Sequence, residues 1–200
     1  MKRYKRFLAD VSLEDGDIVT AHTPNTGSMM QCSVPGSKVL LSQSDNPSRK
    51  LRHTLELVRV KGRWVDINTH RTNRVVEEGL RKGLIEELSG YSVRPEYVFH
   101  ESRVDFLLTK GSVKILMEVK NVSLLCDKEI ACFPDAVTAR GHKHLKDLTM
   151  ALNHGYKSVI FFLVQRGEAT RFGPADYIDP EYGRLLREAV SRALRSEGLL

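Results

Sequence analysis

Two acidic residues and a lysine have the types and spacing of a metal-dependent nuclease site. Asp105 lies in the apolar-rich segment 103–109, and Glu118 and Lys120 lie in the segment 113–120. The intervening Gly111-Ser112 is a favoured two-residue hairpin turn. This turn predicts an antiparallel register in which Asp105 faces Glu118, with Lys120 on the same face two residues further along.

Two carboxylates in such opposition repel each other, so a nearby cation would stabilise them. Mg²⁺ is commonly held by one or two carboxylates together with water and substrate phosphate. We therefore expect Mg²⁺ or Mn²⁺ to bind Asp105, Glu118 and the Val119 carbonyl, while Lys120 assists an attacking water. An acid followed by Glu-x-Lys is the pattern written PD-(D/E)xK. The alternative is a solvated hairpin face with diagonal Arg103–Glu118 and Asp105–Lys120 ion pairs.

Other charged residues fall where they could serve the same chemistry. Glu77, on the helix expected before the hairpin, is a candidate further metal ligand, or else a solvated helix carboxylate. Arg140 and Lys143 share a face of a later helix and are predicted to contact phosphate groups. The alternative for that face is an ordinary polar surface with Lys143 and Asp147 paired at i,i+4.

Three more polar residues have a structural and a functional interpretation. Asp135 is either an acid supporting the site or a loop cap. His142 and His144 are interpreted as surface or polar-network residues, because no third metal ligand lies at a suitable spacing.

The elements that would carry these residues fall into two parts. Residues 1–67 contain short apolar or β-branched runs between turn signals, which predict five strands in an oligonucleotide-binding (OB)-like β-barrel. Residues 68–200 change to helical periodicity and then read helix, three strands, helix, strand, helix. We therefore predict an α+β chain in which an OB-like barrel precedes a nuclease-like αβββαβ domain.

Positive charge is concentrated in the first part. Lysine and arginine outnumber aspartate and glutamate by 31 to 25 overall, and by 11 to 7 in residues 1–67. Two basic clusters there are predicted to bind DNA, the first interleaved with aromatic residues, although solubilising surface charge is the alternative for each. The clusters comprise Arg3, Lys5 and Arg6, and then Arg49, Lys50 and Arg52.

Composition excludes several classes of protein. The longest apolar run, 159–164, is far shorter than the roughly 20 residues of a membrane-spanning helix. The basic N-terminus is followed by acidic residues and so lacks the pattern of a signal peptide. Three cysteines are too few for a disulfide framework, and we expect free thiols in a cytoplasmic protein.

The chain resembles the sugar fermentation stimulation protein family of bacteria and archaea along nearly its whole length. The segments that carry the resemblance are 5–11 (KRFLADV), 24–29 (PNTGSM), 54–58 (TLELV), 102–108 (SRVDFLL), 118–124 (EVKNVSL) and 133–141 (FPDAVTARG). The resemblance implies an OB-type barrel, a nuclease-like domain, and DNA binding linked to regulation of sugar-fermentation genes.

Three departures from the family pattern stand out. His142 replaces the usual glutamine, and Thr23 stands where cysteine is common. The family pattern also continues beyond the point at which this sequence ends, so we expect a terminal element to be absent.

These observations favour a DNA-binding protein, largely indifferent to DNA sequence, that hydrolyses phosphodiester bonds with Mg²⁺ or Mn²⁺. The alternatives are a non-catalytic transcriptional regulator that retains the nuclease fold, and a metal hydrolase acting on another phosphate ester. We expect DNA rather than a membrane as partner, and leave the oligomeric state open, a homodimer included.

Overall fold

Six strands cover the first part of the chain, one more than the five predicted. The structure, a computed structural model, describes residues 1–195. In chain order, β1 to β6 are Lys2–Tyr4, Leu8–Ser12, Ile18–His22, Val39–Gln43, His53–Val60 and Arg63–Asp66. The additional strand is β1. It is separated from β2 because Lys5 and Arg6 have φ of 48° and 62°, which turns the backbone out of the extended conformation.

These six strands form one sheet around a small apolar core. The sheet runs in the order β1-β2-β3-β5-β4, and β6 also pairs with β5. The β3–β5 pairing is parallel, whereas the other pairings are antiparallel. Ala9, Leu55, Val58, Val65 and Ile67 are fully buried in its core.

The remaining elements include the predicted αβββαβ order. In chain order they are α1 Thr69–Arg81, β7 Ser92–Phe99, β8 Ser102–Lys110, β9 Val113–Val122, β10 Leu124–Asp127, β11 Ile130–Phe133, α2 Ala139–Leu152, β12 Lys157–Val164, β13 Arg171–Pro174 and α3 Pro180–Arg195. Strands β7, β8, β9 and β12 form a four-stranded sheet in the order β12-β9-β8-β7. Three of these strands, β10, β11 and β13, belong to another sheet. Without them the order is α1, β7, β8, β9, α2 and β12, which confirms the predicted αβββαβ order.

Helices pack on both faces of this four-stranded sheet. Val76 and Leu80 of α1 bury with Phe106 and Met117 on one face. Leu148 and Ala151 of α2 bury with Leu107 and Leu116 on the other. The strands therefore carry apolar residues on both faces, which is typical of a sheet covered twice.

Helix α1 begins at Thr69, directly after Asn68. The Asn68 side chain accepts a 3.0 Å hydrogen bond from the His70 backbone N–H, and its amide donates to Glu56. Asparagine is among the preferred N-cap residues because its side-chain oxygen satisfies an otherwise unpaired N–H of the first turn.

Strands β10, β11 and β13 form a separate three-stranded sheet. It corrects the expectation of three free thiols, because Cys126 and Cys132 of β10 and β11 form a disulfide. Only Cys32 is free among the three cysteines, and it is buried. Spacing alone could not reveal this pairing, which depends on the β10–β11 register that places Leu125 opposite Ala131.

By packing, the chain divides into two units that interleave along the sequence. The first comprises 1–70, 121–136 and 164–173, and of the described residues the second comprises 71–120, 137–163 and 174–195. The predicted domain boundary between residues 67 and 68 stays a prediction. Over residues 1–195, no helix has the length and apolar character needed to cross a bilayer.

Candidate metal site on the β8–β9 hairpin

The β8–β9 hairpin has the predicted register. Lys110 pairs with Val113, and the ladder continues without a slip to Phe106 opposite Met117. Gly111 has a φ of +58°, a conformation that glycine adopts without steric cost. This register brings together the end of β8 that carries Asp105 and the end of β9 that carries Glu118.

The sheet is kinked at Asp105. Phe106 lies on the α1 face, but Val104, two residues away, lies on the α2 face with Leu107. Residues two apart normally share a face, so the strand turns over at this point.

The neighbouring strand turns over at the same place. Val93 of β7 lies on the α1 face and Tyr97 on the α2 face, and Glu96 between them has a φ of +54°. The β7–β8 ladder pairs Pro95 with Phe106 and Tyr97 with Val104, on either side of Glu96 and Asp105. Asp105 thus occupies an irregular position in the sheet.

Both carboxylate oxygens of Asp105 accept hydrogen bonds. Oδ1 accepts one of 2.7 Å from the Asn73 amide of α1, and Oδ2 accepts one of 2.7 Å from the Val119 backbone N–H. Burial, and then the charge of Glu118, raise the pKa of Asp105 despite these bonds. The charge of Glu118 therefore acts on Asp105, although the β8–β9 ladder ends at Phe106–Met117, one pair short of the predicted Asp105–Glu118 pairing.

Glu118 is almost completely buried, with 3% of its surface exposed. Its Oε1 lies 2.7 Å from Lys120 Nζ and also contacts His144 Nδ1. Burial favours a higher pKa, but the His144 hydrogen bond and the Lys120 charge outweigh it and lower the pKa of Glu118. The solvated-face alternative is wrong, because α2 covers this face and Arg103 pairs with Glu96 at 2.8 Å.

His144 connects the acidic pair to Arg140. Arg140 Nε donates a 3.2 Å hydrogen bond to His144 Nε2, so a neutral His144 carries its hydrogen on Nδ1, facing Glu118. Lys120 Nζ lies 3.0 Å from the same Nδ1. Glu118 is therefore oriented from two sides, by β9 and by α2.

The other predicted residues of this site have different neighbours. Glu77 bonds Arg81 at 2.7 Å, one helical turn along α1 and away from the Asn73 contact with Asp105. Lys143 forms the i,i+4 pair with Asp147 at 3.0 Å and also donates to Ser102. Asn73 therefore bonds the acidic pair, and the assignment of Glu77 as a metal ligand stays a prediction.

His142 joins α2 to the residue that precedes α3. Its Nε2 lies 2.8 and 2.9 Å from the two oxygens of Asp179. Asp179 also accepts from the backbone N–H groups of Thr138 and Tyr182, and is 2% exposed. Burial opposes ionisation here, but these hydrogen bonds lower the pKa of Asp179.

In the first unit, Arg3 holds the loop 24–29 through hydrogen bonds to its backbone. Its guanidinium donates to the backbone carbonyls of Arg6, Asn25, Gly27 and Ser28. The same loop is held by Asp135, whose carboxylate accepts a 2.8 Å hydrogen bond from the Met29 N–H. The contacts of Asp135 therefore agree with its interpretation as a loop cap.

The remaining basic residues of the predicted DNA-binding clusters lie at the surface. Lys5, Arg6 and Lys50 are exposed. Arg49 donates to Thr54 Oγ1 at 2.9 Å, and Arg52 contacts the Ser44 carbonyl at 3.4 Å. Their assignment to DNA stays a prediction.

Sequence reasoning missed the contact of Asn73 with Asp105 and of His144 with Glu118. For Asn73 the available signal was its position four residues before Glu77, on the same helix face. For His144 it was the helical spacing from Arg140, which places both on one face of α2.

Family models cover both parts of the chain. Residues 1–67 match the SfsA N-terminal OB domain, which confirms the predicted fold of this part. Residues 70–197 match the sugar fermentation stimulation protein RE domain.

Individual relatives match over nearly the full chain. A sugar fermentation stimulation protein homolog of Syntrophotalea carbinolica is 62% identical over 98% of this chain and 85% of the relative. A homolog of Geobacter sulfurreducens is 52% identical over 98% of this chain and 84% of the relative. The solved structure of Pyrococcus furiosus SfsA in complex with Ca²⁺ has a TM-score of 0.88 and 27% identity, covering 96% of this chain and 82% of that one.

Proposed function

This chain belongs to the sugar fermentation stimulation protein family, and we propose that it binds DNA and hydrolyses phosphodiester bonds with a divalent cation. The observation that carries the proposal is the acidic pair beside Lys120, in which Glu118 is buried and Asp105 is half-buried. Asp105 and Glu118 come from adjacent strands, and the charge of Glu118 contributes to the raised pKa of Asp105. Burying two carboxylates together is costly unless cations or hydrogen bonds stabilise them.

The donor set of this site suits a hard divalent cation. Mg²⁺, Mn²⁺ and Ca²⁺ all prefer oxygen ligands, and Mg²⁺ needs only one or two carboxylates because it retains water. Within residues 1–195 no group of three or more His, Cys, Asp or Glu side chains suits a metal ion. In the proposed site Asp105, Glu118 and the Val119 carbonyl would hold the cation, and water would fill its remaining positions. The relative from Pyrococcus furiosus was solved with Ca²⁺.

The protein's own side chains would orient the reactants. A bound cation would supply charge stabilisation at the phosphate and lower the pKa of water. Lys120, whose ammonium is 2.7 Å from Glu118, would orient a water and stabilise negative charge on the phosphate. Arg140 and His144 keep the Glu118 carboxylate directed toward Lys120.

A plasmid-nicking assay with Mg²⁺ or Mn²⁺ tests the enzymatic part. We expect cleavage by the unaltered protein, and a loss of about 100-fold or more in Glu118→Gln and in Lys120→Met, the size typical of removing a transition-state contact. The control is Glu78→Gln, because Glu78 is an exposed carboxylate on α1 that forms an ion pair with Lys82. Cleavage that survives both site variants would assign the activity to a contaminant.

A non-catalytic DNA-binding regulator of sugar-fermentation genes is the second candidate, and one observation favours it. Donors from Asn73, Val119, Lys120 and His144 already engage the carboxylates of the acidic pair. A site so satisfied by the protein itself is stable without a cation. Salt-sensitive DNA binding with no metal-dependent cleavage would establish this candidate over the enzyme.

A further inference from the structure

A basic groove lies in the first packing unit, apart from the basic clusters that the sequence singled out. Its volume is about 770 Å³, within the range of ligand sites in proteins. One wall is the β5–β6 hairpin, which contributes Arg59, Lys61 and Arg63. Lys128, in the turn between β10 and β11, faces it from a distant part of the sequence.

The groove carries a surplus of positive charge. Five basic side chains and two carboxylates line it. One carboxylate, Glu168, is already bound at 2.6 Å by the buried Arg166. Lys61, Arg63 and Lys128 are exposed, and over residues 1–195 none of them makes an ion pair within 4.0 Å. These cations are therefore available to an anionic partner.

Apolar side chains lie among these charges. Met30 and Val34 line the same groove, and each is 54% exposed. An exposed apolar surface bordered by cations is suited to a partner that alternates negative charge with flat apolar groups. Single-stranded DNA has this character, because its phosphates are charged and its bases expose apolar faces. An acidic peptide offers the charge without the flat faces.

We propose that this groove binds single-stranded DNA, with phosphates on Lys61, Arg63 and Lys128 and bases against Met30 and Val34. The inference rests on the proposed DNA-binding function and names a surface for it. We therefore expect changes in the turn 61–62 and at Lys128 to weaken DNA binding, although these residues lie outside the basic clusters predicted from the sequence.

The test is the binding of a fluorescently labelled oligothymidylate of about 12 nucleotides, a length within the range covered by one OB fold. Fluorescence anisotropy is measured on the full chain over a range of salt concentrations. The Lys61→Glu/Lys128→Glu variant should bind about tenfold more weakly or worse. The number of counterions released on binding, measured as the slope of log K against log salt concentration, should fall by about two. The Lys61→Gln/Lys128→Gln variant should behave similarly, without added negative charge.

The control is Lys82→Glu/Lys110→Glu, which changes net charge by the same amount at exposed positions of the second unit. Its salt dependence should match that of the unaltered protein. Equal losses in the groove and control variants would overturn the proposal, since net charge alone would explain them. Displacement of the oligonucleotide by polyglutamate as effectively as by unlabelled oligothymidylate would also overturn it, in favour of an acidic peptide.

The two proposals fail in different ways. If the unaltered protein binds no DNA at low salt, the proposed function fails and the groove with it. If the unaltered protein binds and the groove variants bind equally well, only the groove assignment is wrong.

Discussion

The side-chain amide of Asn73 donates a 2.7 Å hydrogen bond to Oδ1 of Asp105 and so ties helix α1 to the kinked position of strand β8. The Val119 N–H holds the other oxygen from β9. Asp105 therefore has a fixed orientation set by two elements, which a carboxylate on a regular exposed strand would lack. Such orientation by neighbouring groups is what a metal-binding acid requires.

Replacing Asp105 should stabilise the fold at neutral pH while removing metal binding. Burial and Glu118 raise the pKa of Asp105 above its unfolded value, so ionised Asp105 opposes folding at higher pH. Asp105→Asn should therefore raise the free energy of unfolding at pH 7. This gain should shrink as the pH falls toward and below about 4, where an unfolded aspartate also becomes protonated.

Urea denaturation between pH 3 and 8 measures the first effect, and Mn²⁺ titration calorimetry measures the second. Asp45→Asn is the control, because Asp45 is an exposed carboxylate outside the site. A loss of stability at pH 7 in Asp105→Asn would show that the two hydrogen bonds outweigh the cost of burying the charge.

Two helical glycines should respond oppositely to alanine. A Cβ at Gly79 in α1 meets nothing within 4 Å, so Gly79→Ala should raise the free energy of unfolding by about 1 kcal/mol through helix propensity. A Cβ at Gly141 in α2 would lie 2.6 Å from Thr138 Cγ2 and 3.0 Å from Tyr182 Cε2. Gly141→Ala should therefore cost about 1–3 kcal/mol. Chemical denaturation of both variants gives the comparison, and destabilisation by both would contradict it.

Removing the hydroxyl of Thr23 should stabilise the fold. It is fully buried, and Oγ1 has no hydrogen-bond partner among residues 1–195. Thr23→Val keeps the shape and should stabilise the fold by about 1 kcal/mol, since a buried unpaired hydroxyl is costly. The matched control is Thr54→Val, which removes the acceptor of the 2.9 Å Arg49 bond and should destabilise. Thermal unfolding of the two variants measures both effects. A midpoint for Thr23→Val below that of the unaltered protein would contradict the prediction.

Arg3 should matter for stability more than for DNA affinity. Its guanidinium reaches four backbone carbonyls, so Arg3→Ala should cost about 2 kcal/mol, and Arg3→Lys should recover only part because a single ammonium cannot span them. Lys5→Ala, at an exposed neighbour, should leave stability unchanged. Denaturation and oligonucleotide binding on the three variants separate the roles. Weakened DNA binding with unchanged stability in Arg3→Ala would restore its predicted role as a phosphate contact.

The sequence by itself determined the local geometry of the site. Gly111-Ser112 specified a tight hairpin turn, and counting outward from that turn gave the register observed from Lys110–Val113 to Phe106–Met117. The order of helical and strand periods likewise determined the αβββαβ arrangement. These features depend on residues close together in the chain, whose preferences act before any tertiary contact forms.

Only the tertiary structure decided which distant side chains complete the site. Asn73 and His144 reach the acidic pair because α1 and α2 pack on opposite faces of the sheet at particular rotations. The kink at Glu96 and Asp105, the Cys126–Cys132 disulfide and the approach of Lys128 to the β5–β6 hairpin are further outcomes of packing. Helical period indicates which residues share a face, but the helix position and rotation against the sheet depend on how all the core side chains interlock.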